Sequence, residues 1–128
     1  MKSAVSILFV DDDEIFLKVL SKYFQIRHPT CRVQTCHSGE ECLASLESFQ
    51  PNLVVMDYHL QRKEGSVQGG DLIRAIRATG SPAKLVVLSG RERYQMMPEL
   101  LQENVEDYIV KGMDALAELD KILVKYFQ

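Results

Sequence analysis

The sequence predicts an α/β domain: a five-stranded parallel sheet wound on both faces by helices, in strand order 2-1-3-4-5. Three observations lead there. Four short apolar runs lack the polar alternation of a half-exposed strand, segments of helical spacing lie between them, and Pro or Gly stands where those segments end.

In chain order, the first run is Ser6-Ile7-Leu8-Phe9-Val10, and Ile15, Leu17, Val19, Leu20 and Phe24 then give the first helical stripe. Arg32-Val33-Gln34-Thr35-Cys36 alternates in part and is predicted to be an edge strand. Cys42, Leu43 and Leu46 follow Ser38-Gly39-Glu40-Glu41, a polar start of the kind that caps helices. Next come Leu53-Val54-Val55-Met56 and a helical pattern at Leu72, Ile73 and Ile76. Lys84-Leu85-Val86-Val87-Leu88 precedes a fourth helical segment around Leu100 and Leu101, with Pro98 near its start. Tyr108-Ile109-Val110 and the pattern Leu116, Leu119, Ile122, Leu123 and Phe127 close a (βα)₅ order. His28-Pro29, Gln50-Pro51-Asn52 and Thr79-Gly80-Ser81-Pro82 punctuate the helix ends. Right-handed crossovers and an edge-like second strand give the order 2-1-3-4-5.

The 128 residues suit one domain, and 46% hydrophobic content suffices for one core. A net charge of −3 argues against a surface built for nucleic-acid backbones. No run approaches the roughly 20 apolar residues of a membrane span, so membrane insertion is not expected. Cys31, Cys36 and Cys42 fit no zinc spacing and read as packing residues, consistent with a reducing, cytoplasmic setting.

In such sheets ligands sit beyond the carboxyl ends of the strands. The residues there are Asp11-Asp12 after strand 1, Asp57 after strand 3, Ser89 after strand 4 and Lys111 after strand 5. Each alone reads as a turn or cap residue; together they make a site. Carboxylates about 4 Å apart at an effective dielectric near 20 repel by on the order of 4 kcal/mol per pair. Either their pKa values rise or a cation neutralises them. An oxygen-only donor set with room for water and a phosphate oxygen suits Mg²⁺, and Mn²⁺ can substitute. With metal present, Asp57 can attack phosphorus, and Lys111 and the Ser89 hydroxyl can share the charge on the transferred oxygens. Asp13 reads as the cap of the first helix rather than a third metal ligand.

Through Ile7-Leu8-Phe9-Val10-Asp11-Asp12-Asp13, Val54-Val55-Met56-Asp57, Val87-Leu88-Ser89-Gly90 and Tyr108-Ile109-Val110-Lys111 the sequence closely resembles the CheY-like receiver domain of two-component response regulators. The resemblance covers essentially the whole chain. It implies a flavodoxin-like fold, a single receiver domain over residues 1–128 and no output domain within the chain. It implies a phosphorelay signalling protein rather than an enzyme, phosphorylated at Asp57. Metal would be bound by Asp11, Asp12, Asp57 and the backbone carbonyl of His59. Ser89 would sense the phosphate, Gly90 would leave it accessible, Lys111 would bind it and Tyr108 would be the switch aromatic. The implied partners are a sensor histidine kinase or histidine phosphotransfer protein and a downstream protein target. That target would read the surface of the fourth helical segment, fifth strand and fifth helical segment; a homodimer stays open.

The sequence departs from the family at two places. Gly112 follows Lys111 where Pro, often cis, is common; a cis bond there would cost roughly 2.5–4 kcal/mol, so a trans bond or local mobility is expected. Gln61 stands where Pro is usual, and Gly69-Gly70 arrives about four residues late, so Gln61 to Gln68 reads as a long surface loop that helps select a partner. Two rivals remain. One is a receiver-like binding module that takes no phosphate. The other is a phosphohydrolase similar to the haloacid dehalogenases, with Asp11 as nucleophile and Asp13 as acid, which leaves Asp57 idle.

Overall fold

The computed structural model describes residues 4–60, 69–90, 95, 98 and 102–128. Five parallel strands alternate with helices: β1 (Ser6–Val10), α1 (Glu14–Arg27), β2 (Arg32–Cys36), α2 (Gly39–Phe49), β3 (Leu53–Asp57), α3 (Gly69–Ala78), β4 (Lys84–Ser89), β5 (Asp107–Val110) and α4 (Ala115–Phe127). The sheet order is β2-β1-β3-β4-β5, as the weak second strand predicted. Gln95 and Pro98 are both helical, in the region where the fourth helical segment was expected. Leu100, Leu101 and the loop from Gln61 to Gln68 lie outside the described residues.

Successive residues of a strand point to opposite faces, and both faces of this sheet are covered, which is why its central strands are apolar throughout. Leu8, Val10, Val54, Met56, Leu85, Val87 and Tyr108 pack on one side with Cys42, Leu46 and Phe49 of α2 and Leu72, Ile73 and Ile76 of α3. Ile7, Phe9, Leu53, Val55, Val86, Leu88 and Ile109 pack on the other with Leu17, Leu20 and Phe24 of α1 and Leu119, Ile122 and Leu123 of α4. Each such side chain contributes about 1.5–3 kcal/mol by leaving water. At edge strand β2 only Cys36 is fully buried.

Helix ends follow local chemistry. Asp13 caps α1 by accepting the Phe16 N–H at 3.1 Å, and Ser38 caps α2 by accepting that of Glu41 at 3.1 Å. Gly80, at φ 81°, turns the chain after α3 in a conformation other residues enter only with strain. Gln50 ends α2 at φ 51° without that freedom. The parallel register then decides where the site forms. Val10 is level with Cys36 and Met56, Asp57 with Leu88, and Ser89 with Val110, so the residues that follow these strands gather along one edge.

Candidate functional site

Asp11 leaves β1 with its N–H donated to the Cys36 carbonyl at 3.1 Å, and its side chain is only 1% exposed. Its Oδ1 accepts the Asp13 N–H at 2.9 Å, which ties down the three-acid turn, and its Oδ2 accepts from Lys111 Nζ at 2.7 Å. Asp57 ends β3, 7% exposed, with Oδ1 accepting the His59 N–H at 3.0 Å and Oδ2 3.6 Å from Lys111 Nζ. Asp12 is exposed at the mouth. Asp11, Asp12 and Asp57 each offer a carboxylate oxygen within 4.8 Å of the others.

This gathering has an electrostatic consequence. Burial, then the negative charge of Asp11 and more weakly that of Asp12, push the Asp57 carboxyl up to about 6, against the opposing pull of the His59 N–H and Lys111. Burial works against the charge of Lys111. The hydrogen bond to Asp11 and the fields of Asp57, Asp11 and Asp13 outweigh it and hold the ammonium above its ordinary value. Two deeply placed acids and one exposed acid thus share a single ammonium among the described residues, leaving a local excess of negative charge around hard oxygen donors. That donor set fits a divalent cation such as Mg²⁺.

The remaining predicted positions lie around this cluster. Ser89 is completely buried at the end of β4, and its carbonyl accepts the Lys111 N–H at 2.7 Å. Gly90 is exposed, and a Cβ there would meet nothing within 4 Å among the described residues. Tyr108, 3% exposed, packs within the α2/α3 side of the core. His59 is exposed beside Asp57. Lys111 reaches both inner acids, and no cis peptide bond occurs among the described residues, in line with the trans bond expected before Gly112.

Sequence reasoning missed one neighbour. The Phe16 ring lies under Lys111, with Nζ 4.5 Å from its centroid. The available signal was its place in the first turn of a helix that begins directly after the three acids.

A family model described as "Response regulator receiver domain" matches residues 7–123. Among curated proteins the chain is similar to the response regulator MprA of Mycobacterium ulcerans, 30% identical over 116 residues that make up 91% of this chain and 47% of that protein. It is also similar to the acid tolerance regulatory protein ActR of Sinorhizobium medicae, 30% identical over 96% of this chain and 58% of that one. The chain thus spans about half the length of these relatives. Among solved structures, the chemotaxis protein CheY4 of Vibrio cholerae superposes with a TM-score of 0.81 at 17% identity, over 94% of this chain and 98% of that one. No helix among the described residues is long and apolar enough to cross a membrane.

Proposed function

The chain belongs to the response regulator receiver domain family, a signalling module of two-component systems, and from that premise we propose that it accepts a phosphoryl group on Asp57 and passes the change to a protein-binding surface. The observation that carries this reading is the meeting of Asp11, Asp12, Asp57 and Lys111 at one sheet edge, although three separate strands deliver them. Asp11, Asp12, Asp57 and the His59 carbonyl would hold Mg²⁺ or Mn²⁺. When bound, the cation neutralises the acids and draws charge from the phosphoryl oxygens.

The donor is a phosphohistidine on a sensor histidine kinase or histidine phosphotransfer protein in the cytoplasm. A carboxylate oxygen of Asp57 attacks phosphorus, the P–N bond breaks, and its electron pair leaves with the imidazole, which takes a proton from water. The Lys111 ammonium, already 3.6 Å from Asp57 Oδ2, moves to a phosphoryl oxygen as the charge grows there. The Ser89 hydroxyl takes another, and Gly90 leaves the group accessible. The inward pull on Ser89 biases Tyr108 at the start of β5, and a surface of β5, α4 and the helical segment before them reports the state to a downstream protein. A phosphohydrolase with Asp11 as nucleophile is disfavoured, because it leaves Asp57 without a role although Asp57 meets Asp11, Asp12 and Lys111 in one cluster.

Incubation with acetyl phosphate and Mg²⁺ should add one phosphoryl group to the wild-type chain by intact-mass analysis, and none to Asp57→Asn. An equal gain in the variant would exclude Asp57 as acceptor; no gain in the wild type would favour the non-phosphorylated binding module.

A further inference from the structure

Lys111 must be steered by something other than its own backbone. Its N–H is fixed to the Ser89 carbonyl at 2.7 Å, but four flexible methylenes separate that anchor from the ammonium. The next residue, Gly112, is exposed and adds no side chain to confine the stem. Nζ is drawn to Asp11 Oδ2 at 2.7 Å, and Asp57 Oδ2 is 3.6 Å away. If those carboxylates alone held it, the ammonium would lose its bearing once a cation neutralised them.

The Phe16 ring supplies a face that does not depend on those charges. Nζ lies 4.5 Å from its centroid, within the roughly 6 Å over which a ring quadrupole attracts a cation. The ring is itself well placed. Asp13 accepts the Phe16 N–H at 3.1 Å, Asp13 in turn donates its own N–H to Asp11, and the partly buried ring packs against the α1/α4 side of the core. One short turn therefore sets both the acid and the aromatic face that bracket the ammonium.

We propose that Phe16 is a positioning residue for phosphoryl transfer: its ring face holds the Lys111 ammonium at the mouth of the acidic cluster, aimed at the arriving phosphoryl oxygens, when the carboxylates are neutralised. The inference rests on the phosphoryl-acceptor reading for its kinetic consequence, whereas the placement of Lys111 by the ring is independent of it.

Phe16→Leu keeps apolar packing and removes the ring face, and Phe16→Tyr keeps the face. Nuclear magnetic resonance of the metal-free and Mg²⁺-loaded chain should show the Lys111 methylene protons next to the ammonium displaced upfield by the ring. The displacement should be lost in Phe16→Leu and retained in Phe16→Tyr. With acetyl phosphate and Mg²⁺, Phe16→Leu should lower the maximal phosphorylation rate about three- to tenfold while leaving the Mg²⁺ half-saturation within about twofold, and Phe16→Tyr should restore the rate. In a Lys111→Ala background, Phe16→Leu should have no further effect on that rate. Undisplaced Lys111 protons in the Mg²⁺-loaded wild type would overturn the proposal even in a chain that takes no phosphate. An equal rate loss with and without Lys111 would overturn it by showing that the ring only packs. If the wild type shows the displacement but never gains phosphate, the placement stands and the phosphoryl-acceptor reading fails instead.

Discussion

Two carboxylates in this molecule stand in opposite electrostatic settings. Asp57, at the end of β3, has acids for neighbours, and burial together with Asp11 pushes its carboxyl up to about 6. Asp120, on α4, has donors around it. It accepts from Tyr23 Oη of α1 and from His28 Nε2 at the end of α1 at 2.6 Å, with Arg27 Nη2 3.6 Å away. Burial alone would raise the Asp120 carboxyl, but the hydrogen bonds from His28 and Tyr23 and the nearby positive charge hold it below the ordinary value. One cluster is at rest and clips α1 to α4. The other is left short of positive charge, and a fold that tolerates such a conflict points to the place where a ligand is to complete it.

The largest expected effect separates the two by stability. The folded-state pKa of Asp57 is raised from 3.8 to about 6, so its contribution to stability is fully present below about pH 4 and is lost as pH rises through 6. At pH 7, without divalent cations, Asp57→Asn should stabilise the fold by as much as about 3 kcal/mol, because Asn keeps an acceptor for the His59 N–H. Asp120→Asn should do the reverse and cost roughly 1–3 kcal/mol. The folded-state pKa of Asp120 is lowered, so that loss should be present above its unfolded value and vanish as pH falls through the folded one. Urea denaturation from about pH 2 to about pH 7 reads both slopes, Asp120 below about pH 4 and Asp57 above it, and slopes of the same sign in the two variants would break the comparison.

Divalent cation should act on one cluster alone. Mg²⁺ at a hundredfold excess over its dissociation constant should stabilise the wild type by about 2.7 kcal/mol and remove the advantage of Asp57→Asn. It should leave the cost of Asp120→Asn unchanged. By calorimetry, Asp12→Ala should bind Mg²⁺ much more weakly than the wild type; equal affinity would remove Asp12 from the ligand set.

The smallest effect is a control remote from both acids. Gln50 closes α2 at φ 51°, and Gln50→Gly should relieve that strain for a gain of about 0.5–1 kcal/mol that is flat with pH. A gain that varied with pH would show that the denaturation profiles report something other than the two carboxylates.

The two clusters also differ in how far the sequence revealed them. Lys111 and Asp11 are 100 residues apart, Tyr23 and Asp120 are 97, so distance along the chain is not what hides a contact. Apolar runs mark strands locally, parallel pairing brings their carboxyl ends level, and Asp11, Asp57, Ser89 and Lys111 could be placed together from those two facts. Asp13 as a cap was legible for the same local reason. Tyr23 and His28 meet Asp120 through the rotation of two helices about their axes, which packing sets and no short motif encodes. Phe16 escaped likewise: its place in the first turn after the three acids was visible, but not that the lysine following β5 comes to rest above its ring.

The order of the strands also has a meaning in time. As a chain leaves the ribosome from its N-terminus, β1, β2 and β3 become available first, and with them Asp11, Asp12 and Asp57. Lys111 emerges only after β5, which pairs with β4 alone at the far edge of the sheet. The acids are therefore made well before the ammonium that answers them. The docking of the last strand closes the sheet and brings in the lysine in one event, so the edge strand acts as the keystone of both the fold and its charge.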